Sequence, residues 1–307
     1  MVKGFDRAAW LEERKHSIGG SDAAALCGMN PYSTPFTVWA DKTGRIAEKD
    51  DNEAMRQGRD LEQYVAERFF EKTGKRVHVQ NGIIRNKKYP FAHATIDRKI
   101  SGERAGLECK TTSTLNLGKF LNGEFPANYY AQCVHYLAVT GWDRWYLAVL
   151  VLGRDFLVYT IERDDDEIAA LMEIERHFWE NYVLKDVPPP ADGLDPTGEA
   201  IKTIYTESFQ DGRIDLFGRE QIVKDFVATE ELIAAYKKEN EERKQILMLD
   251  LGENERGDVP GFSVTWKRQT RSSFDFKAFQ KDNPALDLAP YMRQTDYRIF
   301  KVKEIAE

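Results

Sequence analysis

Residues 91–112, FAHATIDRKISGERAGLECKTT, constrain this chain more than any other stretch, because charged side chains sit there inside apolar runs at strand spacing. Ser101-Gly102-Glu103-Arg104 interrupts the two runs, so the segment predicts two short strands joined by a turn. Asp97 closes the first run and Glu108-Cys109-Lys110 the second. Side chains alternate faces along a strand, which puts Glu108 and Lys110 on one side and Leu107 and Cys109 on the other. Pairing the strands as a hairpin brings Asp97 beside Glu108. Two carboxylates and an ammonium then converge, and such groups are rarely buried unpaired. A chain that is 31% charged will also produce Asp followed by Glu-x-Lys by chance. Here both carboxylates adjoin apolar runs, 92–96 and 105–107, whereas a solvated face scatters its charges among polar neighbours.

The 307 residues suffice for one large domain or two ordinary ones, and 42% hydrophobic content with 12% aromatics can build a core. Cys27, Cys109 and Cys133 are odd in number and far apart, which suggests neither a disulfide framework nor a paired-cysteine metal site and fits a reducing cytoplasm. No run approaches the roughly 20 apolar residues of a membrane helix, and the opening MVKGFDRAAW lacks the apolar core of a secretory signal. The net charge of −7 argues against a nucleic-acid partner until it is divided. Residues 1–120 carry 21 Lys and Arg against 16 Asp and Glu, a balance of +5 that leaves −12 for the remainder. The basic part can face phosphates while the acidic part faces solvent.

In chain order, Ser21 stands where it would cap a helical run 23–26, and Gly19-Gly20 before it lets backbone approach a ligand; an ordinary N-cap explains the same residues. Thr34-Pro35 starts a second helix that ends at Gly44. A longer helix, 52–73, stops at Gly74, with Leu61, Val65 and Phe69 facing the core and Glu62 flanking them, where it needs a cation. Residues 75–85 read as one strand, and 126–140 as a helix carrying Gln132 and Tyr136 on a shared face. Residues 143–152 and 156–161 form a hairpin around Gly153, and 164–185 a helix. Pro188-Pro189-Pro190 and the stretch after it mark a domain boundary. Beyond it come a long charged helix (217–251), a strand (262–266), a short helix (274–280) and a last strand (297–302). Lys267, Arg268 and Arg271 with Trp266 and Phe274 fit either a nucleic-acid platform or an amphipathic hairpin.

Taken in order, Glu62, Asp97, Glu108-Cys109-Lys110, Gln132 and Tyr136 resemble the pattern of the PD-(D/E)xK nucleases, with Ile96-Asp97 in place of Pro-Asp. The Trp10, Arg14, Ser21 opening and the GRDLE sequence around Glu62 resemble, more narrowly, the bacteriophage lambda exonuclease or YqaJ-like viral recombinase family, over about residues 8–185. The resemblance implies an α/β fold with a central mixed sheet flanked by helices. It divides the chain into a nuclease domain (1–187), a linker (188–198) and a C-terminal extension of charged helix and small α/β elements (199–307).

Hard oxygen ligands from Glu62, Asp97, Glu108 and the Cys109 backbone carbonyl suit two Mg²⁺ ions, which Mn²⁺ can replace. Lys110 would hold the attacking water, and Gln132 would orient Lys110 or a phosphate. Arg14, Ser21, Thr95, Gln132 and Tyr136 would line a 5′-phosphate pocket. The implied activity is 5′→3′ exonuclease action on linear double-stranded DNA, leaving 3′ single-stranded tails for a single-strand annealing protein. A ring-shaped trimer and a bacterial host cytoplasm are the implied assembly and location. A RecB-like single-strand exonuclease, a structure-specific endonuclease and a non-catalytic DNA-binding scaffold are the alternatives.

Overall fold

Capping chemistry sets the helix ends in the computed structural model, which describes residues 7–47, 52–210, 212–284 and 286–305. Helix α1 (Arg7–Lys15) and the short α2 (Gly20–Leu26) come first. Helix α3 (Pro35–Lys42) starts behind Thr34, whose hydroxyl accepts the Thr37 N–H, with Pro35 in the first turn. Helix α4 (Glu53–Thr73) takes Asn52 as its cap and closes on Gly74 at φ 70°, a left-handed conformation open to a residue without Cβ. Strands β1 (Val77–Val79), β2 (Ile84–Asn86), β3 (Tyr89–Ala94), β4 (Arg98–Ile100) and β5 (Ala105–Thr112) follow. Then come α5 (Ala127–Thr140), β6 (Arg144–Val151), β7 (Asp155–Glu162), α6 (Asp165–Phe178) and α7 (Asp195–Ile204).

Five strands form one sheet in the order β1-β4-β5-β6-β7. Strands β5 and β6 run parallel, with α5 connecting them, and the other neighbours are antiparallel. The sheet is therefore mixed and flanked by helices, as expected. Helix α4 covers one face, burying Val65, Ala66 and Phe69 with Leu107, Tyr146 and Ala148. Helix α5, joined by α2, α3 and α6, covers the other, where Leu137, Trp145, Leu147 and Ile168 are buried.

Two strand expectations are corrected. The expected strand 91–97 is divided: β3 pairs with β2 in a separate small sheet, and only β4, beginning after Asp97, forms the hairpin with β5. Ile18 bridges to Ala92, so the N-terminal segment lies along β3. The expected strand 75–85 is likewise two strands in two sheets, β1 beside β4 and β2 beside β3. Thr95 lies in neither strand, so the alternation that set it on the face of Asp97 does not apply.

The domain boundary expected at 188–198 falls after Tyr205, where the chain divides into two compact units. Helix α7, within the expected linker and just beyond it, belongs to the first unit. Its Thr197 hydroxyl shares a buried 2.7 Å hydrogen bond with that of Thr34, and Ala200 joins the core. Proline breaks a helix but does not end a domain when the next helix still has an apolar face to bury.

The second unit holds α8 (Glu220–Leu251), an antiparallel pair of β8 (Arg256–Val259) and β9 (Phe262–Thr265), and α9 (Phe276–Asp282). The last strand expected at 297–302 is not formed: no described strand pairs with it, and Tyr297 and Ile299 are exposed. Trp266 and Phe274 are exposed on an irregular stretch after β9, so the hairpin expected through Arg271 is not formed.

Ending the chain after Tyr205 should leave the first unit as stable as in the full chain. Ending it after residue 190 removes α7 and should cost on the order of 3 kcal/mol of unfolding free energy in urea, from lost apolar burial and the Thr34–Thr197 bond. Equal stability of the two fragments would return the boundary to the prolines.

Candidate active site

Strand β5 carries Glu108 and Lys110 toward α5, while Leu107 and Cys109 turn toward α4. Glu108 is only 3% exposed, a costly place for a carboxylate. Its Oε1 accepts from Lys110 Nζ at 2.7 Å and from Gln132 Nε2 at 2.8 Å. Gln132 Nε2 also donates to the Tyr136 hydroxyl at 2.8 Å, and Lys110 Nζ lies 5.1 Å over the Tyr129 ring. The expected partnership of Gln132 with Lys110 thus runs through the Glu108 oxygen they share. Tyr136, 4% exposed, supports Gln132 from beneath instead of lining an open pocket.

Asp97 arrives beside Glu108 as the sequence predicts, although it stands just before β4. Its Oδ2 accepts the Cys109 N–H at 2.8 Å, which anchors the carboxylate to the strand that carries Glu108. Burial, then the negative charges of Glu108 and Glu62, raise the Asp97 carboxyl well above its ordinary range. Burial opposes the Lys110 charge, but Glu108 and Asp97 outweigh it, and the ammonium is held above its usual range. Burial raises the Cys109 thiol, which leaves its backbone carbonyl as the hard donor at that position.

Glu62 projects from α4 and is gripped by Arg98, which supplies the cation its place beside the core ridge calls for. The Arg98 side chain is 7% exposed. Its Nη1 also donates to the Asp97 carbonyl at 2.7 Å, and its Nη2 to Gln63 Oε1 at 3.2 Å. Among the described residues no three His, Cys, Asp or Glu side chains form a ready-made metal cluster, and Glu62 is engaged by Arg98 instead of completing one. Asp97 and Glu108 nevertheless suit a divalent cation. Glu108 Oε2 is buried without a hydrogen-bond partner, and the mutual repulsion that raises Asp97 is what a cation would relieve.

The N-terminal motif sits against the same network because two glycines lack side chains. A Cβ on Gly20 would stand 2.6 Å from the Tyr136 ring, and one on Gly19 3.1 Å from His93. The cap of α2 is Gly19, not Ser21: the Asp22 carboxylate accepts the Gly19 N–H at 2.9 Å, and Ser21 is an exposed residue of the first turn. Asp22 brings negative charge to that terminus, which disfavours an anion there. Asp22 is paired at 2.7 Å with Lys42, whose side chain is 3% exposed. Glu12 and Glu13, the other partners available to Arg14, pair with Lys15 and Arg85. The Arg14 guanidinium stacks 4.5 Å over the Trp10 ring, and its Nε is buried without a partner among the described residues. Thr95 is half-buried.

Behind these groups lies a layer that sequence reasoning missed. His135 Nδ1 meets Glu175 Oε1 at 2.7 Å, both fully buried, and His135 Nε2 meets the His93 carbonyl at 2.8 Å. Burial raises the Glu175 carboxyl; burial works against a charged His135, but Glu175 outweighs it and His135 is raised. His93 Nδ1 shares a 2.9 Å hydrogen bond with the Ser17 hydroxyl. His93 and His135 lie in otherwise apolar runs and Glu175 among the charges of a helix, and only the fold shows which partner each meets.

A family model described as the YqaJ-like viral recombinase domain matches residues 9–143. The protein YqaJ of Bacillus subtilis (strain 168) is 35% identical over 307 residues, covering 98% of this chain and 96% of that protein. The crystal structure of LHK-Exo in complex with dAMP aligns with 58% of this chain and 93% of its own, at 21% identity and a TM-score of 0.50. A second crystal structure of LHK-Exo, described as an alkaline exonuclease from Laribacter hongkongensis, aligns at 19% identity and a TM-score of 0.49. The sheet and its flanking helices are thus similar to a solved fold.

His93 supplies a pH dependence. Burial, then the charges of Lys42, His135 and Arg14, push its imidazole down to about 3 from an ordinary 6.5. Between those values the unfolded chain binds a proton that the folded chain refuses, so stability is full above the upper value and lost as pH falls through the window. The expected slope from this group is up to about 1.4 kcal/mol per pH unit. Urea unfolding between pH 7 and pH 4 should show it, and His93→Asn, which keeps a partner for Ser17, should flatten it. An unchanged slope in the variant would assign the dependence to other groups.

Proposed function

Because the chain belongs to the YqaJ-like viral recombinase family, we propose that it is a divalent-metal-dependent deoxyribonuclease that degrades linear double-stranded DNA in the 5′→3′ direction. The observation that carries this reading is the buried Glu108, tied through one oxygen to Lys110 and Gln132, beside a half-buried Asp97 crowded by like charge. Packing alone gives no reason to assemble two carboxylates and an ammonium on one sheet, and phosphodiester hydrolysis does.

Asp97, Glu108 Oε2 and the Cys109 carbonyl would hold the metal, with Mg²⁺ the ion best suited to an all-oxygen set and Mn²⁺ able to replace it. When bound, the metal supplies charge neutralisation on the phosphate and a nucleophilic water at neutral pH. Glu62 stands at the rim, where Arg98 holds its carboxylate ready to reach a second ion through water. Lys110, kept cationic by its two carboxylate neighbours, orients the attacking water and stabilises negative charge on the phosphate oxygens. Its raised pKa argues against its serving as the proton acceptor. Gln132 fixes the Glu108 carboxylate and so the position of the ammonium bonded to it.

Arg14 is the donor proposed for a terminal 5′-phosphate. Its planar fork is held by stacking on Trp10 and left without a carboxylate among the described residues, and the Ser21 hydroxyl and Thr95 would add neutral contacts. The products are 3′ single-stranded tails, the substrate of a single-strand annealing protein.

Asp97→Ala and Glu108→Ala should abolish magnesium-dependent digestion of linear duplex while the protein stays folded. Lys110→Ala should lower turnover by a factor on the order of 10² with metal binding retained. Full activity in either carboxylate variant, measured on end-labelled linear duplex with closed circular DNA as the control, overturns the reading, and cleavage of the circle assigns an endonuclease.

The 5′ assignment has its own test. A duplex bearing a 5′-phosphate should be degraded roughly 10- to 150-fold faster than one bearing a 5′-hydroxyl, the range of one charge-assisted contact. Arg14→Ala should erase the preference and retain cleavage. Equal rates on both ends in the unmodified protein would leave Arg14 a structural residue and remove the basis for polarity.

A further inference from the structure

Lys42 is the last residue of α3, and its side chain is 3% exposed, so its ammonium depends on protein partners in place of water. Two other helix ends supply them. Its Nζ donates at 3.2 Å to the Arg14 carbonyl of α1, one of the last-turn carbonyls that a helix leaves without an internal partner. The same Nζ lies 2.7 Å from Oδ2 of Asp22, in the first turn of α2, the oxygen that also accepts the Gly19 N–H. Lys42 thus bridges the backbone of Arg14, the residue assigned to the 5′-phosphate, and a carboxylate within electrostatic reach of the Arg14 side chain.

Burial works to raise the Asp22 carboxyl, but Lys42 outweighs burial, the Gly19 N–H and then Arg14 add to its effect, and the group is held below its ordinary range. Arg14 therefore acts on Asp22, yet no ion pair joins the two among the described residues, and the Arg14 Nε keeps no partner there. The other carboxylates near Arg14 are engaged as well: Glu12 by Lys15, Glu13 by Arg85, and Asp41 by Lys42 at 3.7 Å. A carboxylate and a phosphate compete for the same planar donor fork, so an arginine paired within its own protein has less to offer a DNA end. Resting on the reading that Arg14 receives the terminal 5′-phosphate, we propose that Lys42 is a positioning residue that occupies Asp22 and so keeps the Arg14 guanidinium available to the DNA end. Its bond to the Arg14 carbonyl holds the ammonium between the two residues.

The test compares linear duplexes bearing a 5′-phosphate or a 5′-hydroxyl, in magnesium-dependent digestion and in binding without metal. Lys42→Met removes the ammonium and keeps an unbranched side chain. Asp22 then turns to Arg14, and the preference for phosphate should fall by roughly fivefold or more, with cleavage of hydroxyl ends retained. Adding Asp22→Asn to Lys42→Met keeps an oxygen for the Gly19 N–H but removes the competing charge, and should restore the preference. Lost stability cannot imitate this pattern, because a ratio of rates on two ends does not depend on how much of a variant is folded. Should Lys42→Met not fold, Lys42→Gln, whose amide can donate to the same oxygens without the charge, takes its place with the same expected loss. A preference unchanged in the single variant, or still absent in the double variant, overturns the proposal while leaving Arg14 its role. Equal rates on both ends in the unmodified protein overturn the role of Arg14 itself, and the proposal with it.

Discussion

Glu108 is a carboxylate withdrawn from water in the middle of a sheet, and an isolated charge there would neutralise itself or unfold its surroundings. The fold answers with an ammonium two residues along the strand and an amide from α5, both on one oxygen, while the other oxygen is left without a partner. Half-satisfied buried groups destabilise, so their presence marks a position where something other than stability is served. The parallel pairing of β5 with β6 matters for the same reason. Its connection is α5, the helix that carries Gln132 and Tyr136 over the strand end.

Precision at this point depends on close approach. Gly106 has no side chain, and a Cβ there would stand 2.3 Å from the Trp145 ring, so the glycine is what lets Trp145 approach β5 this closely. Trp145 packs against Tyr136 at 5.0 Å, Gly20 rests on the other part of that ring, and Tyr136 accepts from Gln132. The buried His135–Glu175 pair ties α5 to α6, and His135 reaches the His93 carbonyl on β3. A single connected layer therefore links the N-terminal motif, the small sheet and the site, and displacement at Gly20 or Gly106 would be felt at Glu108.

The second unit follows a different physical regime. It has few buried side chains, and its stability as drawn from its own contacts is small next to the first unit, with its double-sided sheet.

Local chemistry was sufficient to read the caps at Thr34, Asn52 and Gly74 and the β6–β7 hairpin, because each depends on neighbours within a few residues. Family membership was legible for the same reason, being carried by short ordered motifs. Tertiary structure alone decided which partner each strand took, dividing 91–97 at Asp97 and drawing Ile18 onto β3. It also decided that Arg98 holds Glu62, that Gly19 and not Ser21 caps α2, and that α7 belongs to the first unit. An alternating pattern specifies that a strand can form, but the hydrogen bonds and counter-charges that select its partner come from residues tens of positions away, whose proximity only folding creates.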